Sequence, residues 1–360
     1  MQHADILRQR LWNQRVAGSP FDAPETMVRA LVGVQSQDYP GARWSVGQRT
    51  RDCTDADVAR AYDDGKILRT HLLRPTWHFV APDDIRWILE LTAPRVHALN
   101  APYYRKFGLD GAVLARAQGV IEGALGGGEG RTRAELAATL AGAGIVVEGL
   151  GLSYTMMHAE LEGLICSGAN RGKQQTYALL EARAPGARSL PREEALAELT
   201  RRFFVGHGPA TLKDYVWWAG LSVAEAKRGV ESVRGALARE IVGGVTYWFS
   251  PAMQPAPPTD VMIAHLLPEY DEAMLAYKDL GFPDLPWTKE RAAWHDGYYR
   301  PIIIGDARAG TWRRTVGKGA MTLEVNLFVT LDTAQLRALE AVVARYSIFM
   351  GLPVALVMGG

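Results

Sequence analysis

Two cysteines in 360 residues leave little scope for thiol chemistry. Cys53 and Cys166 lack the paired spacing that metal-binding cysteines show. The N-terminus lacks the apolar core of a signal peptide. A protein of the reducing cytoplasm is therefore expected.

Strong net charge and long apolar runs are also missing. Forty basic and thirty-nine acidic residues give a formal charge of +1, so any nucleic-acid surface must be a local patch. No apolar run approaches the roughly 18 residues of a membrane helix. The eight histidines are scattered, and His71 and His78 are odd-spaced on a strand-like segment, so no metal site is expected.

What is present is a 48% hydrophobic chain long enough for two or three modules. Helix and strand signals alternate in a way that predicts an α+β protein: three tandem winged-helix units followed by a C-terminal β-rich region. The predicted limits are 1–125, 126–188, 189–254 and 255–360. Three unrelated helical pieces remain the alternative.

The first unit is predicted from helix caps. A short helix covers 5–16, and a second begins near Asp22 and Pro24. A third helix begins at Thr54, which forms a capping-box pattern with Asp57, and Gly65 ends it. Residues 67–80 read as a strand segment with a bend or edge at Pro75.

The next two units repeat the order of helices and then strands. Thr132 and Glu135 form a capping-box pattern. Further helices are predicted to start at Ser153, at Thr211 and at Ser222, and the loop 170–175 and the run 247–249 suit wings. In the C-terminal region, strands are predicted at 261–267, 301–304, 311–316 and 321–329, with a last helix over 333–349.

The stretch from Gly33 to Pro40 carries the most specific chemical signal. Pro40 disfavours helix at Tyr39, so the chain is predicted to be extended through Gln35 and Gln37, whose amides then point the same way. Glutamine cannot titrate, but two amides can hold a water beside a sugar whose leaving group is already activated. Asp38 is a candidate auxiliary base. The alternative is that the glutamines only cap a helix or bridge to the next segment.

Two further polar clusters are candidates for DNA contact. Thr70, Arg74, Thr76 and His78 share one parity on a strand and suit phosphate binding, unless they form a solvated edge. Between Arg300 and Lys318 five basic residues face one acid, and Arg313, Arg314 and Lys318 lie on a predicted basic hairpin whose small turn fits a minor groove. A solvated hairpin is the alternative here.

Other conspicuous residues have structural interpretations. Trp217, Trp218 and Trp248 are predicted to pack in a core. Glu269, Asp271 and Glu272 beside Pro268 are expected to cap or brace the sheet rather than to hydrolyse a sugar.

The glutamine pair resembles the Gln-apolar-Gln motif of the AlkZ group of bacterial winged-helix DNA glycosylases. The related YcaQ group has Asp in the second position. Four more segments resemble the same family, in order along the chain: 74–78 (RPTWH), 208–221 (GPAT through WWAGL), 267–271 (LPEYD) and 310–314 (GTWRR). One residue departs from the pattern, since Ser36 is polar.

The resemblance implies a monofunctional glycosylase that removes N7- or N3-alkylated purines from duplex DNA without metal or cofactor. It also suggests unhooking of interstrand crosslinks and self-resistance to a DNA-alkylating natural product. Gln35 and Gln37 would be catalytic. The expected protein is a monomer. The rival interpretations are a non-catalytic winged-helix transcriptional regulator and a protein-interaction scaffold. The predicted recognition helices are poor in Arg, Asn and Gln, which weakens the regulator interpretation.

Overall fold

The computed structural model describes residues 3–257, 262–278 and 300–359, and these form an α+β protein. The first part contains α1 (His3–Asn13), α2 (Pro24–Leu31), β1 (Gly33–Gln35), α3 (Tyr39–Gly47), α4 (Asp55–Asp63), β2 (Leu68–Leu72), β3 (Thr76–Val80) and the long α5 (Pro82–Lys106). The middle contains α6 (Gly111–Leu125), β4 (Arg131–Thr132), α7 (Arg133–Gly142), α8 (Gly149–Leu161), β5 (Ile165–Ser167), β6 (Thr176–Leu179) and α9 (Leu180–Arg183).

The remaining elements complete the chain. They are α10 (Arg192–His207), α11 (Leu212–Ala219), α12 (Val223–Ser232), β7 (Ala238–Val242), β8 (Val245–Phe249), β9 (Ala264–Leu266), α13 (Glu272–Leu275), β10 (Pro301–Ile304), β11 (Ala307–Val316), β12 (Met321–Leu327), α14 (Thr333–Met350) and β13 (Val354–Gly359). No helix in the described part of the chain is both long and apolar enough to cross a membrane.

One order of elements occurs three times along the chain: helix, strand, two helices, two strands. The first segment runs from α2 to β3 and the second from α6 to β6. In both, the last strand lies between the other two, giving the orders β1-β3-β2 and β4-β6-β5. The third segment runs from α10 to β8, and a single bridge between Ala210 and Trp248 takes the place of its first strand.

The predicted boundary at 125/126 cuts across a packed core. Ala117, Ile121 and Leu125 of α6 are buried against Leu136 and Leu140 of α7. Helix α6 therefore packs with the second segment, not the first.

The other two large cores join parts of the chain that the sequence analysis separated. One core combines β2, β3 and α5 with α10, α11 and α12. The other combines α2, α3 and α4 with the C-terminal sheet and α14. The first segment is thus covered on two sides, and the polypeptide around the two glutamines lies between these cores.

Most predicted caps are correct. Thr54, Thr132, Thr211 and Ser222 each accept a hydrogen bond from the third helical residue and close a capping box. Each such cap satisfies amides that would otherwise lack partners and contributes about 1 kcal/mol. The start at Ser153 is wrong, because α8 begins at Gly149 after Glu148.

Two expectations near the glutamines also need correction. The cap of α2 is Ala23, without a side-chain hydrogen bond, instead of Asp22. Tyr39 is helical, since α3 begins there and Pro40 occupies its first turn, where the missing N–H has no intrahelical partner to lose.

The segment 67–80 is a hairpin and not one strand. Strands β2 and β3 pair antiparallel, with Thr70 opposite His78 and Leu72 opposite Thr76. Leu73 at the turn has a φ of 62°, a left-handed conformation that is uncommon for a branched residue.

The C-terminal region is a five-stranded sheet in the order β13-β12-β11-β10-β9, covered by α14. The predicted last helix is confirmed to within one residue. Strand β13, parallel to β12, was not predicted, and β11 begins four residues earlier than expected. Of the strand predicted at 261–267, Val261 lies outside the described residues, and β9 covers 264–266.

Candidate active site around Gln35 and Gln37

Gln35 is the last residue of β1 and is buried, with 6% of its surface exposed. It pairs with His78 on β3, which in turn pairs with Thr70 on β2. Directly paired residues share one face of a sheet. Gln35, His78 and Thr70 therefore form a row across the three-stranded sheet, with Gln35 at its edge.

Two contacts fix Gln35. Its backbone N–H donates to Glu272 Oε1 at 2.7 Å, and its side-chain Oε1 accepts from Arg74 Nη2 at 2.8 Å. Because arginine only donates, the amide oxygen must face it. Among the described residues the Nε2 of Gln35 has no hydrogen-bond partner, and the oxygen keeps a second lone pair.

Gln37 lies just beyond the strand and is exposed. The Ser36 N–H donates to the Trp77 carbonyl at 2.7 Å, which continues the pairing one residue past β1. The Trp77 N–H then donates to the Gln37 side-chain oxygen at 3.4 Å, a long hydrogen bond. Gln35 is buried and fixed, whereas Gln37 is solvent-accessible and loosely held.

Ser36, the residue that departs from the family pattern, is fully buried. Arg69 Nε donates to both its hydroxyl and its carbonyl oxygen at 3.2 Å. Arg69 also lies over the ring of Trp77, 4.3 Å from its centroid. A polar residue is accommodated between the two glutamines because a buried arginine satisfies it.

Asp38, the candidate auxiliary base, occupies the N-cap position of α3 without capping it. Its Oδ2 lies 3.2 Å from Arg300 Nη2, which also contacts Glu269 Oε2 at 3.3 Å. Burial raises the pKa of Glu269. Arg300 thus joins α3 to the C-terminal sheet, and the Asp38 carboxylate is held by an ion pair.

Glu272 contacts Gln35 from the interior of the protein. From the sequence it was assigned only a structural role. It is fully buried and accepts hydrogen bonds from Gln35 N–H and from Trp218 Nε1, the latter at 2.8 Å. His207 Nε2 lies 3.5 Å from Glu272 Oε2, the oxygen that also accepts from Trp218. Burial acts to raise the pKa of Glu272, but His207 and the Gln35 N–H outweigh it and hold the pKa below its usual range.

The neighbouring Asp271 makes the capping and bracing contacts that were expected of this acidic group. It caps α13 and binds Arg49 through both carboxylate oxygens, at 2.7 and 2.9 Å. This pair is fully buried and lies in the middle of the interface between α3 and the C-terminal region.

The proposed phosphate row on 70–78 is not available as a surface. Thr70 and His78 are fully buried, and Thr76 is half-buried at the hairpin. Burial, reinforced by the charge of Arg74, lowers the pKa of His78 to about 3, so this ring stays neutral. The strand register does put Thr70, Thr76 and His78 on one face, as parity predicted, but that face is buried at Thr70 and His78 instead of being open to DNA. Only Arg74 reaches the site, where it orients Gln35.

Trp217 was assigned to the core but is 41% exposed. Arg74 donates to its carbonyl oxygen at 3.0 Å, and Lys278 Nζ lies 4.2 Å from its ring centroid. Trp218 is fully buried and Trp248 is partly buried, as predicted. Trp217 is thus an exposed tryptophan between two cations, and Arg74 connects it to Gln35. Sequence position alone could not distinguish it from its buried neighbour Trp218.

Strands β11 and β12 pair antiparallel where the basic hairpin was predicted. Arg313 is exposed and paired with Glu324 at 2.6 Å, while Arg314 contacts the hydroxyl of Tyr346. The two arginines thus face opposite sides, as strand alternation predicts. Lys318 lies exposed in the turn after β11. With Arg300 and Arg313 in ion pairs, the patch is less positive than its composition suggests.

A family model described as "DNA glycosylase AlkZ-like" matches residues 28–349. The chain therefore belongs to the AlkZ-like DNA glycosylase family, a class of hydrolases.

Among individual proteins, the chain is 25% identical to the "Interstrand DNA cross-link repair glycosylase" of Streptomyces sahachiroi, over 92% of both chains. The solved structure of the Streptomyces sahachiroi DNA glycosylase AlkZ superposes with a TM-score of 0.80 at 20% identity, covering 99% of this chain and 100% of that one. This second likeness concerns the fold.

Proposed function

We propose that this protein is a monofunctional DNA glycosylase that hydrolyses the N-glycosidic bond of N7- or N3-alkylated purines in duplex DNA, with Gln35 and Gln37 as its catalytic residues. The observation that carries the proposal is the asymmetric glutamine pair: Gln35 is fixed by Arg74 and Glu272, and Gln37 is exposed beside it.

An alkylated purine is already cationic, so it leaves without a general acid. The protein then needs only to hold a water near the anomeric carbon and to stabilise the developing sugar cation with oriented dipoles. The Gln35 side-chain oxygen accepts a hydrogen bond from Arg74 on one lone pair and keeps the other to accept a water proton. The exposed Gln37 amide completes the site from the solvent side. Asp38 serves as an auxiliary acceptor, oriented by Arg300.

The DNA-contacting residues of this proposal differ from the row predicted on 70–78. Trp217 with Lys278 flanks Arg74, and Lys318 lies in the hairpin turn. We further propose that the three repeated segments are winged-helix units. Their shared topology supports this assignment, and they would place the glutamine pair beside the duplex.

The decisive experiment is incubation with a duplex that carries one N7-methylguanine. Release of free N7-methylguanine and accumulation of abasic sites are expected with the wild-type protein. An unmodified duplex and the Gln35→Ala variant serve as controls. Binding of the alkylated duplex without base release under single-turnover conditions would refute the glycosylase proposal. A non-catalytic DNA-binding function would then be favoured.

The relative from Streptomyces sahachiroi is named for interstrand crosslink repair, and we extend the proposal to that substrate. A duplex with a single N7-linked crosslink should yield two separable strands on a denaturing gel. Expression in an alkylation-sensitive host should increase survival under a DNA-alkylating natural product, and Gln37→Ala should abolish the gain. Equal survival with wild type and variant would remove the self-resistance role.

A further inference from the structure

Three potential metal ligands meet where α5 passes the end of α8. The Nε2 atom of His97 lies 3.1 Å from Glu162 Oε1, and the Nε2 atom of His158 lies 3.9 Å from the same oxygen. The ligand atoms of all three residues lie within 4.8 Å of one another. Sequence spacing could not predict this cluster, because His97 is 61 positions from His158 and only His158 and Glu162 have a helical spacing.

Both rings are oriented by contacts on their other nitrogen. The Nδ1 atom of His97 lies 2.9 Å from the Tyr104 hydroxyl, and that of His158 lies 3.0 Å from the Gln118 side-chain amide. A tyrosine hydroxyl can accept from His97 Nδ1–H, and a half-turn of the Gln118 amide brings its oxygen into position to accept from His158 Nδ1–H. Metal-binding histidines in proteins characteristically have such a partner on the remote nitrogen.

The Nε2 atoms of His97 and His158, which face Glu162, are available to bind a metal ion. Within the described part of the chain, His97 Nε2 is buried and has no well-aligned hydrogen bond, although the Glu162 carboxylate lies beside it. Burial lowers the pKa of both His97 and His158. A lowered pKa favours the neutral imidazole, which is the form that binds a metal ion.

We propose that His97, His158 and Glu162 form a binding site for one divalent transition-metal ion, with Zn²⁺ as the best match. Two imidazoles and one carboxylate are a ligand set that zinc uses with a water in the fourth position. Metal–ligand bonds of about 2.0–2.1 Å in a tetrahedron separate the ligand atoms by roughly 3.3 Å. The contacts of 3.1 and 3.9 Å to Glu162 Oε1 are close to this spacing, and all three ligand atoms lie within 4.8 Å, so side-chain rotations must draw the ligands together.

A cavity of about 230 Å³ beside the cluster gives access for the ion and room for the water ligand. It is lined by His97 and Glu162 together with Leu89, Glu90 and Pro94 of α5. Mg²⁺ and Ca²⁺ require mostly oxygen ligands, so a site with two imidazoles discriminates against them.

The expected consequence is a clamp between α5 and α8. Two residues before Glu162, Glu160 accepts a hydrogen bond from Trp77 Nε1 at 3.3 Å and contacts His71. Trp77 is the residue whose N–H reaches Gln37. A metal ion would therefore hold the helix that supports the hairpin behind the glutamine pair, without touching the reacting atoms. The site is independent of the proposed substrate.

The test uses the full-length protein, freed of metal by a chelator and then dialysed. Addition of Zn²⁺ should show one tight equivalent by calorimetry and raise the melting temperature by about 5 °C at a hundredfold excess over Kd. Co²⁺ should give the visible absorption of a four- or five-coordinate site. Mg²⁺ should have neither effect.

The variants are His97→Ala, His158→Ala and Glu162→Gln, with Glu122→Gln on the exposed face of α6 as the matched control. The melting-temperature difference with and without Zn²⁺ is compared within each variant, so a variant that is less stable without metal remains informative. Each ligand variant should lose most of the shift and at least tenfold in Zn²⁺ affinity, and the control should keep both. Glu162→Gln, at a half-exposed position, is expected to fold. No shift in the wild type, or a full shift in all three ligand variants, would overturn the proposal.

Discussion

Arg74 holds the side-chain oxygen of Gln35 with one guanidinium nitrogen and the carbonyl oxygen of Trp217 with the other, at 2.8 and 3.0 Å. This fork joins the end of β1 to α11, which lies in the third repeated segment. We therefore expect Arg74, which the sequence suggested for phosphate contact, to position the candidate catalytic amide. The orientation of Gln35 depends on a neighbour from a different part of the chain.

Substitution of Arg74 tests this positioning role. Arg74→Ala removes a hydrogen bond to a charged donor, which is worth about 1.5–3 kcal/mol, so single-turnover base release should fall about 10- to 150-fold. Arg74→Lys is the matched variant, because it keeps the charge and loses the fork. We expect Arg74→Lys to bind DNA nearly as well as wild type and still to be slow. Full activity in Arg74→Lys would show that only the charge matters.

On the hairpin of β11 and β12, we expect Lys318 to contribute to DNA binding and Arg314 to contribute to stability. Lys318→Ala should lower the slope of log Kd against log salt by about 1, the value for one phosphate contact. Arg314→Ala should instead lower the melting temperature, since Arg314 packs against Tyr346. Single-turnover cleavage at saturating protein should change little in either variant. A rate that saturating protein fails to restore would place the hairpin in the active site.

The ion pair between Arg313 and Glu324 supplies an internal control for that experiment. Glu324→Gln leaves Arg313 in place and removes the acid that neutralises it. If Arg313 faces DNA, this variant should bind more tightly and with a steeper salt dependence than wild type, and Arg313→Ala should bind more weakly. Unchanged affinity in both variants would remove Arg313 from the DNA surface.

The same residues show which structural features could be predicted from the sequence. Helix starts were predictable wherever a Ser or Thr cap has its partner three positions later, because the capping box is complete within four residues. The extended conformation at Gln35 was predicted from Pro40, but the structure shows that it depends on the pairing of β1 with β3. The helical conformation of Tyr39 was not predictable, because Pro40 is compatible both with a helix end before it and with a first turn around it.

Burial of the polar row on β2 and β3 could not be predicted for a different reason. It depends on the turn at Leu73 to Pro75, which converts one apparent strand into a hairpin, and on cores contributed by α5 and α10 to α12. Likewise, Glu272 reaches Gln35 from 237 residues away. Such contacts are set by the packing of distant segments, and one sequence contains no local signal for them.

Stability should fall as the solution becomes acidic, partly because of His265 in β9. Burial, with added repulsion from Arg345 and Arg49, lowers the pKa of this ring to about 4, against about 6.5 in an unfolded chain. Between these values the unfolded state binds the extra proton, so the free energy of unfolding decreases as pH falls. The contribution is about 3 kcal/mol when fully lost near pH 4.

His265→Gln should therefore flatten the dependence of the melting temperature on pH between about 6.5 and 4. Val342→Ala is a suitable control, because it removes buried volume from the core beneath the same sheet without removing a titrating group. That control should lower the melting temperature by a similar amount at every pH. An unchanged slope in His265→Gln would show that this ring does not govern the acid sensitivity.

The last prediction separates catalysis from structure at Gln37. If this amide orients the attacking water, Gln37→Ala removes one dipole at the reacting centre and should cost about 2.7–4 kcal/mol, a hundred- to thousandfold in rate. The structure adds a reason to expect little loss of stability, since Gln37 is exposed and its one hydrogen bond to Trp77 is long. Gln35→Ala should lower both the rate of base release and the stability of the fold, because Gln35 is buried and Arg74 would lose its acceptor.

Gln37→Asp is the sharper probe. A carboxylate at this position can accept the water's proton, so we expect Asp to retain more activity than Ala, and Trp77 N–H remains a hydrogen-bond donor to it. Single-turnover excision of N7-methylguanine and thermal melting, measured on all three variants, decide the matter. A Gln37→Ala protein that releases the base at nearly the wild-type rate would exclude the catalytic assignment. Because Gln37 contributes so few contacts to the fold, a slow Gln37→Ala protein with an unchanged melting temperature could not be attributed to unfolding.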